Sequence, residues 1–111
     1  MICSRTDVVL LPIPFTDLTS RKVRPAIVIG RKGIDLFLVP ISSQQSSIDF
    51  ALSDWRAAGL NVACGVKAQI ATVEERLVVK IVGQLTAPDK KNTRRAIPAM
   101  ASPLTNEFLR F

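Results

Sequence analysis

Histidine is absent from this chain of 111 residues. Without an imidazole there is no histidine general acid or base, no Ser-His-Asp triad and no His-bound zinc. Any chemistry therefore rests on Arg, Lys, Asp, Glu, Ser, Thr or the backbone. Cysteine is scarce: Cys3 and Cys64 lie far apart, match no metal-ligand spacing and make no disulfide scaffold, so both read as buried or neutral free thiols. No metal or cofactor is expected. Long apolar runs are missing too, since nothing approaches the ~20 residues of a membrane span. Asp7, Pro12 and Pro14 interrupt the apolar stretch at the N-terminus, which argues against a signal peptide and for a cytoplasmic protein. Acidic residues are outnumbered, 9 against 15 Lys and Arg, for a net charge of +6 and a pI near 10.0. A basic excess favours polyanions, chiefly nucleic acid, through phosphate neutralisation; a solvated surface carries such charge equally well.

What the chain does have is β-branched runs. "DVVLL", "AIVI" and "RLVVKIV" favour a strand-rich domain. The length suits one domain spanning residues 1–111, large enough to bury about two thirds of its unfolded surface without staples.

Residues 7–11 read as a first strand, followed by the long loop "PIPFTDLTSRKVR". Residues 25–29 are a second strand closed by Gly30. "RKGI" is turn material, with Gly33 at a position suited to positive φ, and it makes a hairpin into a third, central strand at residues 35–41. "IDFAL" is a short strand. "SDWRAAGL" reads as one or two helical turns, with Ser53 as N-cap and Gly59 as C′ residue. "CGVKAQIATV" reads as one strand, "EER" as a turn and "LVVKIVGQL" as a last strand. Thr86 and Asp89 have the spacing of a capping box, opening a helix that should end or kink near Pro98. Five or six short strands with a terminal helix suggest a small closed or half-closed barrel.

Five constellations could carry chemistry. The loop ending in Arg21, Lys22 and Arg24 offers cations to phosphates, with Phe15 either stacking a base or tucked into the core. Arg24 itself precedes Pro25, which disfavours the α region for it and fixes how the chain enters the strand; an Arg so held presents a two-pronged fork to a phosphate. "PISSQ" ends the third strand, and hairpin pairing sets Ser42 beside Arg24. A cation and a hydroxyl at one sheet end can stabilise charge around a phosphate, although hydroxyls are also common in turns. In "KAQI", strand alternation puts Lys67 and Gln69 on one face, either joining that site or facing water. "KKNTRR" reads as a solvated helix face.

With these residues in view the chain resembles the MazF/PemK (Kid-like) toxins of type II toxin–antitoxin systems. "TDVVLLPIPFTDLTSRKVRPAIVI" is similar to the family's opening, "LVPISSQ" to its third strand and following turn, and "DWRAAGL" and "VKAQIATVEERLVVKIVGQL" to its later segments. The resemblance implies a mainly β, SH3-like barrel with a C-terminal helix, working as a homodimer. It implies metal-independent cleavage of single-stranded RNA by an endoribonuclease, and a cognate acidic antitoxin as partner. Arg24 matches the family's catalytic Arg and Ser42 its catalytic Thr or Ser. Phe15, Thr16, Asp17, Arg21, Lys22, Ser43, Gln44, Lys67 and Gln69 are then expected to contact RNA. One departure is that many members carry an acid where Ala68 and Gln69 stand here; where that acid acts as the base, this chain must do without it or recruit another, such as Asp17. The competing readings are a non-cleaving relative that inhibits a protein such as gyrase, and a small-barrel nucleic-acid-binding module.

Overall fold

The apolar runs form strands, and the glycines and prolines between them decide where those strands turn or part. The computed structural model describes residues 2–12, 23–44, 46 and 48–100. Among these are strands β1 (Asp7–Pro12), β2 (Val23–Lys32), β3 (Asp35–Ser42), β4 (Phe50–Ala51), β5 (Gly65–Val66), β6 (Ala71–Glu74) and β7 (Lys80–Gln84), a 3-10 turn at Glu75–Leu77 and helix α1 (Ala87–Met100). Every pairing is antiparallel, in the order β4-β5-β3-β2-β1-β7, with β6 also on β3. The architecture is the expected mainly β one with a C-terminal helix. No helix of the described residues is long and apolar enough to cross a membrane.

β3 is the pivot. Its first half pairs with β6, from Asp35↔Glu74 to Leu38↔Ala71, and its end pairs with β5 through Ile41↔Val66 and Ser42↔Gly65. The β2–β3 hairpin turns at Gly33, whose φ of 61° lies in the left-handed region that glycine enters at no steric cost. Gly30 does not close β2. It lies within the strand at a register shift between Val28 and Gly30, and such a bulge bends and twists the ladder.

Both faces of this sheet are buried. Val8, Ile27, Ile29, Val39 and Val66 pack in one cluster with Leu52, Leu85 and Ile97 of α1. Val9, Leu11, Ala26, Val28, Leu36 and Leu38 pack in the other with Cys3 and Val78. This is why "AIVI" and "LFLV" are nearly continuous apolar runs and do not alternate.

Two expectations need correction. The segment "CGVKAQIATV" is two short strands, because residues 67–70 leave the ladder: the Ala68 N–H donates to the Asp49 carboxylate (2.7 Å) and the Gln69 N–H to the Lys67 carbonyl (2.7 Å). Strand alternation therefore does not place Lys67 and Gln69 on one face. The Thr86 carbonyl accepts the Lys90 N–H at the start of α1, an ordinary helical bond, and neither half of the capping box forms. The Thr86 hydroxyl donates to Asp54, and the Asp89 carboxylate accepts from the backbone of Ser53 and Asp54 (2.8 Å each). The described helix α1 reaches Met100, two residues past Pro98, where an end was expected.

Glu75 ties the segment before β1 to the β2–β3 hairpin. Its carboxylate accepts the Cys3 N–H (2.7 Å) and pairs with Arg31, which also donates to the Cys3 carbonyl (3.1 Å). The Arg31 hydrogen bond first, then the Cys3 N–H, hold the Glu75 carboxyl down at about 2, below its ordinary 4.5. A pKa lowered by folding contributes stability that is complete above the ordinary value and is lost as pH falls toward the folded one. The stability gap between wild type and Glu75→Gln is thus expected to be constant above about pH 5 and to close between about 4.5 and 2. Urea midpoints of both proteins from pH 7 to 2 measure it; a gap that persists at pH 2 would remove Glu75 from this role.

Candidate active site

β2 and β3 separate at two prolines. Their ladder ends at Ala26↔Pro40. Beyond it β2 continues only with β1, as Pro25↔Leu10 and Arg24↔Leu11, while β3 turns to β5. Neither Pro25 nor Pro40 has an N–H to extend the ladder, so a sheet that would otherwise zip shut parts here. A cleft of about 430 Å³ opens at the parting, lined by Arg24, Pro25 and Pro40 together with Ser42, Ser43, Gln44 and Lys67. The Arg-Pro pair at the mouth of a buried strand thus serves two purposes: the proline ends the pairing, and the arginine stands at the edge of the resulting gap.

Each polar side chain of the cleft is on a fixed backbone. Arg24 is exposed and held in β2 by pairing with Leu11. Ser42 is the last residue of β3, paired with Gly65, and its Oγ accepts the Gln44 N–H (3.1 Å). With Oγ engaged as an acceptor, the hydroxyl proton is left to be donated elsewhere. Lys67 follows β5 directly; its N–H donates to the Pro40 carbonyl (3.0 Å), and the Asp49 carboxylate holds the next residue. Gln69 is exposed and is not part of the cleft lining. Phe15, Thr16, Asp17, Arg21 and Lys22 lie outside the described residues.

Part of the lining was not anticipated from the sequence: Gly59, Leu60, Asn61, Val62 and Cys64. They come from the segment after Ser53. Gly59 (φ 92°) acts as the expected C′ residue: the Leu60 N–H donates to the Trp55 carbonyl and the Gly59 N–H to that of Arg56, the paired bonds that end a helical turn at a left-handed glycine. The turn lies directly on β7. A Cβ at Gly59 would be 2.2 Å from the Val82 carbonyl oxygen, and one at Gly83 2.4 Å from that of Ala58. Gly59 was the only local signal that a wall of the cleft starts here. Burial first, and the Asp89 charge second, push the Cys64 thiol up, so it lines the cleft as a neutral group.

The assembled site has two cations, two serine hydroxyls and a neutral wall. Cations and hydroxyls so placed have the chemistry to hold a phosphodiester and to stabilise added negative charge upon it. Among the described residues, no group of three or more His, Cys, Asp or Glu is placed to hold a metal ion.

No protein-family model matches this chain, and no curated protein matches it in sequence. Solved structures do. An endoribonuclease in complex with its cognate antitoxin from a mycobacterial species superposes with a TM-score of 0.68 at 16% identity, over 89% of this chain and 94% of that one. The Mycobacterium tuberculosis toxin MazF-mt6 gives 0.68 at 16%, over 89% and 98%. An endoribonuclease from mycobacterial species gives 0.65 at 14%, over 94% and 95%. The chain therefore has the fold of the MazF toxins, in agreement with the resemblance carried by its motifs. At these identities the likeness is one of fold.

Proposed function

We propose that this protein is the toxin of a type II toxin–antitoxin system and cuts single-stranded RNA without a metal. The observation that carries this reading is the convergence of Arg24, Ser42 and Lys67 on one cleft of a MazF fold. In the reaction, the 2′-oxygen gives up its proton and attacks the adjacent phosphorus, and the bond to the 5′-oxygen breaks as that oxygen takes up a proton. The products are a 2′,3′-cyclic phosphate and a 5′-hydroxyl. Arg24 presents its planar fork to the non-bridging oxygens as charge accumulates on the phosphorane. The Ser42 proton is donated to one of those oxygens or orients the 2′-hydroxyl. Lys67, with Ser43 and Gln44 beside it, holds the flanking backbone. Phe15, Thr16, Asp17, Arg21, Lys22 and Gln69 belong to the same proposal as further RNA contacts.

The reading extends to partners. The whole chain acts as one cytoplasmic toxin domain and as a homodimer. Its basic surface is covered by a cognate acidic antitoxin segment that folds onto it. Purified protein incubated with single-stranded RNA in excess EDTA is expected to release fragments with 5′-hydroxyl ends. RNA that stays intact in EDTA and is cut on adding magnesium would overturn the metal-independent mechanism.

A further inference from the structure

The lining of the cleft divides by chemistry. Arg24, Ser42 and Lys67 serve a phosphate, whereas the segment from Gly59 to Cys64 is apolar or neutral, with Asn61 its one polar side chain apart from the thiol. We propose that Asn61 determines base specificity, reading the edge of one nucleotide next to the cleaved phosphate; this rests on the nuclease reading above.

Three observations support it. The first is chemical. A cation in this position would hold phosphate of any sequence, because phosphate contacts position a strand without reading it. A neutral amide offers a donor and an acceptor side by side, the pattern displayed by the exposed edge of an unpaired base. The second is location. Gly65 pairs with Ser42, and Asn61 stands only four residues before Gly65. Both Asn61 and Ser42 line the one cleft, which sets the base that Asn61 reads next to the cleaved phosphate. Asn61 is exposed, and Val62 after it is 56% exposed, an apolar surface for the face of the same base.

The third observation is rigidity. A loop that discriminates bases must hold its amide still before the substrate arrives. Residues 53–63 are closed at their base by the Leu52 N–H on the Cys64 carbonyl (3.0 Å). The fully buried Asp89 of α1 fixes the entry through Ser53 and Asp54, and the close approach of Gly59 to Val82 fixes the exit. The segment has its own turn hydrogen bonds besides. Asn61 is thus an exposed amide on a wall anchored at both ends.

The test is to sequence the ends produced from a random single-stranded RNA library by wild type, Asn61→Ala and Asn61→Asp. Asn61→Ala is expected to reduce the preference at one nucleotide position about tenfold or more, the scale of one lost two-point base contact, while the other positions stay unchanged. Asn61→Asp keeps an acceptor and loses the donor, and is expected to re-rank the bases at that same position. A cleavage profile unchanged in both variants would overturn the proposal. So would a uniform loss of rate across all sequences, which would make Asn61 merely structural. A wild-type protein that cuts no RNA would instead overturn the nuclease reading, and this one with it.

Discussion

Arg24→Lys is expected to lower RNA cleavage about a hundredfold or more while leaving the thermal midpoint almost where it was. The stability half follows from exposure. Arg24 is on the solvent side of the strand mouth, and surface substitutions of this kind stay within about 0.5 kcal/mol. The rate half follows from shape. Lysine keeps the charge but replaces a planar, two-pronged donor with a point charge on a flexible stem. Losing one preorganised donor to a developing oxyanion costs about 10²–10³ in rate. RNA affinity should fall much less, because Lys67 still neutralises phosphate in the same cleft. Cleavage rate, RNA affinity and thermal midpoint measured on one preparation separate the possibilities. Near-normal cleavage by a folded Arg24→Lys protein would end the catalytic assignment, and a large loss of stability would make Arg24 structural.

Gly59→Ala is expected to destabilise the fold far more than Gly33→Ala. Two costs fall on one residue. A φ of 92° is a conformation that L side chains rarely adopt, at about 1–2 kcal/mol. The added Cβ would be 2.2 Å from the Val82 carbonyl oxygen and 2.8 Å from its carbon, and forced packing of that kind costs about 1–3 kcal/mol. Relief is hard to find, because β7 on either side of Val82 is held to β1 through Val9↔Ile81 and Val8↔Gly83. The turn must lift instead, drawing buried Ala58 away from the core. A total of about 3 kcal/mol lowers the midpoint by roughly 10–20 °C in a domain of this size. Gly33→Ala is the control: φ is positive there too, at 61°, but nothing lies within 4 Å of the added carbon. It should therefore lose only the conformational share. Equal losses in the two variants would show that the approach to β7 contributes nothing.

How far the site could be read from sequence depended on the range of the interactions that build it. Arg24 and Ser42 could be brought together on paper because a hairpin is a local object: two apolar runs and a glycine turn fix which ends meet. Gly59 was legible for the same reason, since a left-handed glycine closing a helical turn is encoded within a few residues. Residues 67–70 were not. "GVKAQIATV" has the composition of a strand, and what breaks it is a carboxylate, Asp49, arriving from 19 positions earlier. Asp89 misled for the same reason, because its spacing from Thr86 suits a local cap while its carboxylate serves backbone groups 35 and 36 residues away. Asn61 has no distinguishing local pattern. It matters only because the Gly59 turn, β5 and α1 together bring it to the cleft.

Because both faces of the β2–β3 hairpin are buried, its aliphatic letters are interchangeable. Moving one strand by a single residue exchanges Ile27 and Ile29 with Ala26 and Val28, and either arrangement fills both clusters with hydrocarbon. In a half-exposed sheet such a slip would strand apolar groups in water and be rejected at once. Here the rejection must come from punctuation: the left-handed Gly33 that sets the phase of the two strands, and the irregularity between Val28 and Gly30 that permits only one alignment. The same phase decides whether a guanidinium and a hydroxyl meet across the gap or pass one another. An extra residue at the hairpin tip would still leave a greasy, foldable chain, but one in which Arg24 and Ser42 no longer line the same cleft.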